Sequence, residues 1–181
     1  MNRILPGLAM ATALCSFQVA AADNYEYPYT GISGGSAELT ELCDGAGSGS
    51  GCDDSANFYR IYSGARLLPA FGFEVGYTHT DNMGISTVPV RPRGIDLTTL
   101  FHLPMGNRLD VFAKAGAFFW DMEVGNTNDQ GSDVQVGAGI RFGVTESISL
   151  RADYDYIPEI EVLGFDVGEM QKISGAVEFH F

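Results

Sequence analysis

Residues 134–157 read VQVGAGIRFGVTESISLRADYDYI, and this stretch decides the fold. Val134, Val136, Ala138, Ile140, Phe142 and Val144 alternate with Gln135, Gly137, Gly139, Arg141 and Gly143. After Thr145-Glu146-Ser147, Ile148, Leu150, Ala152, Tyr154 and Tyr156 alternate with Ser149, Arg151, Asp153 and Asp155. A period of two is the period of a strand, because successive side chains point to opposite faces. Two such segments separated by three residues make a hairpin with one apolar face and one face of glycine and opposed charges.

The same parity runs outward from this hairpin. In 71–79, Phe71, Phe73, Val75, Tyr77 and His79 oppose Gly72, Glu74, Gly76 and Thr78; in 109–119, Leu109, Val111, Ala113, Ala115, Ala117 and Phe119 oppose Asp110, Phe112, Lys114, Gly116 and Phe118. Segments 59–67, 95–103 and 173–181 behave alike, with Arg60, Arg66, Asp96, His102, Glu178 and His180 confined to the polar parity. Connections alternate between short (69–70, 105–107, 145–147) and long (near 43–56, 81–92, 125–132 and 158–168). A first strand within Tyr27–Leu42 completes eight, with both termini on the short-turn side. The expectation is an all-β chain: an eight-stranded antiparallel up-and-down transmembrane β-barrel.

Composition narrows the alternatives. The 181 residues carry a net charge of -13, which repels phosphate backbones and argues against a nucleic-acid partner. A sixteen-stranded porin needs about 160 residues for strands alone. A soluble barrel would turn a Lys-, Glu- and Thr-rich face to water; here the apolar face ends in aromatics instead (Tyr59, Phe71, Tyr77, Phe101, Phe119, Tyr154, Tyr156), as interfacial girdles require. Residues 1–22 read as a signal peptide: Arg3, then an apolar run to Val19, then Ala20-Ala21-Ala22 before Asp23. Leu14 before Cys15 argues against a lipoprotein. The barrel domain is assigned to 23–181. Export to an oxidising compartment favours a disulfide between Cys43 and Cys52, which bracket a Gly/Ser-rich loop tip. Closing so short a ring stabilises by about 2–3 kcal/mol in the entropic account.

The chain also resembles the OmpA-like eight-stranded outer-membrane family and its small relatives. The resemblance rests on Tyr29-Thr30-Gly31, on Glu74-Val75-Gly76-Tyr77, on FAKAGAFFW (112–120), on GAGIRFGVTESISLRADYDYI (137–157), and on the alternating end Val177-Glu178-Phe179-His180-Phe181. It implies a bacterial outer-membrane barrel, monomeric, with Phe179 and Phe181 in the signal read by the barrel-assembly machinery. Ala176 departs from the glycine that the signal favours. No periplasmic peptidoglycan-binding domain is expected after the barrel. The resemblance also places Glu74, Lys114 and Arg151 in the family's lumen ion network, to which parity adds Arg141, Asp153 and Glu178.

Lumen charges survive only when paired, so a salt-bridged plug is favoured over an ion path. Arg91 and Arg93, extended backward from the lipid-facing parity of 95–103, belong on the outer wall above the membrane band. Lipopolysaccharide phosphates are their natural partners there. No catalytic constellation emerges: His79 lacks a His-x-Ser phrase, and His102 and His180 fall near the periplasmic end. Asn126–Gly131 imitates the start of a calcium loop, but its twelfth position is Gly137, so no metal or cofactor is expected. The reading is a structural, envelope-integrity protein. A loop-borne surface adhesin is the alternative, and a lipid A-modifying enzyme the second.

Overall fold

The structure, a computed structural model, describes residues 27–40, 43, 52–85, 88–124, 127–158, 161, 162, 165, 166 and 168–181. Eight long strands carry the architecture: β1 (Tyr27–Leu39), β2 (Ser55–Leu68), β3 (Phe71–Thr80), β4 (Val88–Met105), β5 (Leu109–Val124), β6 (Thr127–Gly143), β7 (Ile148–Ile157) and β8 (Met170–His180). Each pairs antiparallel with its chain neighbours, and β8 pairs with β1, from Tyr29–His180 to Leu39–Met170. The sheet therefore closes on itself. Closure leaves no strand edge whose N–H and C=O groups would face hydrocarbon unbonded.

The register fixes the geometry of closure. Following cross-strand partners from Gln130 through Asp121, Arg93, His79, Tyr59, Gly34, Gly175 and Ala152 returns to β6 at Ile140, ten residues further along. Eight strands with that stagger tilt by about 40° to the barrel axis. Ten-residue strands such as β3 and β7 then rise about 25 Å, the height of an outer-membrane apolar band.

Parity behaves as the sequence requires. Ile32, Ile61, Val75, Leu97, Ile140, Leu150 and Ile173 are exposed on the outer wall, while Arg60, Glu74, Asp96, Lys114, Arg141, Arg151 and Glu178 are buried inside. Inward glycines stand beside large inward side chains. A Cβ on Gly76 would lie 2.5 Å from the Arg60 guanidinium, and one on Gly64 would lie 2.6 Å from the Tyr29 ring. Glycine on the polar parity is thus the space taken by a neighbouring arginine or ring.

Three boundaries differ from expectation. β1 ends at Leu39 rather than 42, and residues 88–92 and 127–132 belong to β4 and β6 rather than to long loops. The ladder simply continues above the band, through Arg91–Glu123, Pro92–Met122 and Val124–Thr127, where no surrounding hydrocarbon demands an apolar outer face. Pro92 lies inside β4. It lies one residue beyond Arg93, the last β4 residue paired with β3, so its missing N–H costs the ladder little. On the opposite side the connections are tight: 69–70, 106–108 and 144–147, with Gly106 at φ +78° taking the left-handed position of its turn. The unheated protein is expected to migrate on a detergent gel apart from its boiled form, because a closed ladder opens only on heating; a single mobility in both states would contradict closure.

Candidate functional site

The lumen encloses six acids (Glu74, Asp96, Asp110, Asp153, Asp155, Glu178) and six bases (Arg60, Arg66, Lys114, Arg141, Arg151, Lys172) in buried positions. Alternation on different strands aims them all inward, and closure brings distant parts of the chain into contact. Arg151 is the hub. Its guanidinium donates to Glu74 Oε2 at 2.5 Å, to Glu178 Oε1 at 3.0 Å, and through Nε and a terminal nitrogen to both Asp153 oxygens at 2.7 Å.

From this hub the pairs extend in three directions. Arg60 reaches Glu74 at 2.7 Å and holds Asp96 with two bonds, at 2.5 and 2.9 Å. The Lys114 ammonium lies 2.8 Å from both Asp153 and Asp155, and the Gln135 amide donates to Asp155 at 2.9 Å. Arg141 forks onto Glu178 and also reaches Asp110 at 3.2 Å; Asp110 in turn meets His102 Nδ1 at 2.7 Å and Arg66 at 3.4 Å. Every one of the six carboxylates therefore has a cation in contact. Bidentate geometry and near-complete burial make these charge-assisted bonds short and specific.

Rings separate the guanidinium layers. Arg151 lies 4.5 Å from the Phe112 ring centroid and 4.9 Å from that of Tyr62, while Arg60 lies 4.5 Å from Tyr62 and Arg141 lies 5.0 Å from Tyr29. The Tyr29 hydroxyl donates to Glu74 Oε2 at 3.0 Å. These contacts give each cation a polarisable face where no carboxylate is in reach.

Above the charges, towards the long-loop end, the interior changes character. Leu39, Phe58, Met83, Phe118, Trp120, Met122, Ile157 and Met170 form a buried apolar cluster. Lys172 lies at the boundary. Its ammonium is 4.6 Å over the Phe118 ring and makes no hydrogen bond, the one lumen base with no salt bridge among the described residues. Below the charges, a cavity of about 1050 Å³ opens between the tight turns, lined by Arg66, Asp110, Arg141 and His180 among others.

The structure thus brings Glu74, Lys114, Arg141, Arg151, Asp153 and Glu178 into one connected set. It adds members that the sequence reading did not single out as partners: Asp110 with His102, and the rings of Tyr29, Tyr62 and Phe112. Inward parity was the available signal for each of them. The apolar cluster was the harder feature, because inward Leu and Met residues interrupt the polar parity. Arg91 and Arg93 are exposed, far from this set; Arg91 Nε donates to Asn82 Oδ1 at 2.6 Å and Arg93 pairs with Asp121 at 2.9 Å. Cys43 is disulfide-bonded, and the side chain of Cys52 lies outside the described residues. Residues 1–22 lie outside them as well. Phe179 and Phe181 are exposed at the short-turn end, where the Phe181 N–H donates to Pro28 O at 3.2 Å.

A closed eight-stranded antiparallel barrel with an apolar exterior and a salt-bridged interior defines an integral outer-membrane β-barrel. Residues 22–181 match the OmpA-like transmembrane domain, and the chain belongs to that family. It is 23% identical over 172 residues to outer membrane protein A of Klebsiella aerogenes, covering 84% of this chain and 48% of that protein. The chain spans about half the length of that relative. Among solved structures it is similar to Neisserial surface protein A (TM-score 0.64, 18% identity, 87% of this chain and 98% of that one). The N-terminal barrel domain of Pseudomonas aeruginosa OprF is similar as well (TM-score 0.61, 18% identity, 85% and 97%).

The hub and the boundary lysine give opposite expectations on mutation. Arg151→Ala leaves Glu74, Asp153 and Glu178 short of their shared cation and is expected to lower unfolding free energy in lipid vesicles by about 3–5 kcal/mol. Lys172→Met replaces an unbonded ammonium with an apolar chain of similar length. It is expected to leave stability unchanged or raised in the same urea titration.

Proposed function

We propose that this barrel serves envelope integrity as a plugged, non-enzymatic outer-membrane protein whose outer wall contacts lipopolysaccharide. The observation that carries the plug is the unbroken run of ion pairs from Asp110 through Glu178, Arg151 and Glu74 to Asp96, crossing the lumen beneath an apolar cap. A conducting path needs mobile water and weakly held charges. Here every carboxylate is already bound, and rings fill the space between the arginines. Conductance in planar bilayers is accordingly expected to be absent or rare, and steady, well-resolved channels from pure protein would overturn the plug.

Lipopolysaccharide contact is supported by position and charge. Arg91 and Arg93 project outward from β4 just beyond the level of the Tyr77 and Phe119 rings, on the long-loop side, in a chain whose net charge is -13. Guanidinium forks at that depth suit lipid phosphates. The Asp121 pairing leaves Arg93 held in place, with its side chain still 47% exposed. The further parts of the proposal follow the same logic: a cleaved leader over 1–22, a Cys43–Cys52 clip on the first long loop, insertion by the barrel-assembly machinery through Phe179 and Phe181, and a monomer in the membrane. The double variant Arg91→Ala with Arg93→Ala is expected to reduce lipopolysaccharide co-purification and to lower the melting temperature in lipopolysaccharide-containing bilayers. In neutral detergent it should match wild type; equal behaviour in both media would reject the contact.

A further inference from the structure

β6 outruns its neighbour β7. Its ladder with β5 is unbroken from Leu109–Phe142 up to Val124–Thr127, whereas its ladder with β7 stops at Val136–Tyr156. Residues 127–135 are therefore strand-paired on one side only among the described residues. The short hairpin of Glu161–Val162 with Phe165–Asp166 approaches β6, but its ladder is only with itself.

The backbone groups on the open side follow from the ladder. In antiparallel pairing the N–H and C=O of one residue point the same way, and those of the next residue point the opposite way. The Gly143 N–H donates to Arg108 O, towards β5, and the Val144 N–H donates to Ile148 O, towards β7. The register between β5 and β6 has no shift from 142 to 127, so the alternation carries up the strand and aims the even-numbered residues away from β5. The Gln130 N–H accordingly donates to a carboxylate of its own strand, Asp129 Oδ1, at 3.0 Å. Asn128, Gln130 and Ser132 thus present an edge of donors and acceptors at strand spacing, with no backbone partner on that side among the described residues. This edge lies outside the membrane. Gln130 shares a row of cross-strand partners with Asp121, Arg93 and His79, and the stagger of the barrel raises that row from β3 to β6. Gln130 therefore stands higher than Arg93, which is itself above the apolar band.

A row of N–H and C=O groups at strand spacing is matched by one chemistry, another extended polypeptide. Charge narrows the choice further. Residues 121–133 and 158–168, which border the edge, carry seven Asp and Glu and no Lys or Arg. A second copy of this chain would bring these acids against one another, and like charges across a ladder are destabilising. We propose that the edge of β6 from Asn128 to Ser132 docks an extended, lysine- or arginine-bearing segment of another protein, which adds a strand to β6 in the space above β7. Backbone hydrogen bonds supply the grip, and the surrounding carboxylates select a basic segment. Asp129 guards the empty edge by occupying the Gln130 N–H, and the incoming strand takes its place.

Ser132 provides a test that spares the barrel. Its N–H points away from β5, so Ser132→Pro removes an edge donor and obstructs an added strand while leaving the closed ladder intact. Ser132→Ala keeps the N–H and serves as the control. The probe is a fluorescent peptide of about six residues alternating lysine and valine, titrated onto the purified barrel in neutral detergent at low ionic strength and followed by anisotropy. Beside it stand a glutamate–valine peptide and a lysine–valine peptide methylated at each backbone nitrogen. Wild type and Ser132→Ala are expected to bind the lysine–valine peptide alike, and Ser132→Pro about tenfold or more weakly. The methylated and the acidic peptides should bind wild type about tenfold or more weakly as well. Heat-dependent gel mobility should be unchanged in both variants. Equal binding by Ser132→Pro and Ser132→Ala would overturn the docking edge, as would undiminished binding of the methylated peptide, which would reduce the attraction to charge alone. No binding of the lysine–valine peptide by wild type, or equal binding of the acidic one, would overturn the basic partner. Loss of the gel shift in Ser132→Pro would overturn the assignment of its N–H to the open side.

Discussion

The guanidinium of Arg151, shared among Glu74, Asp153 and Glu178, is the interaction on which the interior depends. Eight strands enclose a space that side chains can only just fill, so no bulk water is at hand to solvate a charge. A charge placed there is costly unless a counter-ion reaches it in a fixed direction, mostly from another strand. Arg151 is met from two other strands, by Glu74 of β3 and Glu178 of β8, and by Asp153 of its own strand β7. The pairing thereby ties the first half of the chain to the last. The inward glycines follow from the same crowding, since a methyl group at Gly76 would occupy the space of the Arg60–Asp96 fork.

Outside, the governing condition is different and simpler. Hydrocarbon accepts any apolar side chain and offers no hydrogen bond, so the wall needs only parity and closure. That tolerance explains why the exterior can carry glycine and alanine at Gly34, Gly175 and Ala152 without harm to the ladder.

This division also separates what the sequence discloses from what it conceals. The face of each strand was legible, because parity is local: Arg141, Arg151 and Asp153 point inward on the strength of their immediate neighbours. Which carboxylate meets which cation was not, because Tyr29 and Glu74 stand 45 residues apart, and Glu74 and Arg151 stand 77 apart. Such partners are set by the stagger of the closed ring, which no local pattern encodes. The strand ends above the membrane were concealed for a related reason. Residues 88–92 and 127–132 continue the backbone ladder, and with polar residues allowed on both faces they carry turn-like composition while remaining strand. The Met83, Met122 and Met170 cap was hidden because apolar residues on the inward face look like lapses in the alternation until closure gathers them.

The seam between β1 and β8 has a kinetic meaning. Every other ladder between the eight long strands joins strands adjacent in the chain, whereas this one joins Tyr29 to His180 and must wait for nearly the whole chain. Searching for contacts so remote in sequence is slow. Until that last pairing forms, two long strand edges stand open together, in a lipid that cannot satisfy them and beside aqueous compartments where they would template aggregation. The half-made barrel therefore exposes its edges at β1 and at the aromatic end of β8, the two strands that find each other last.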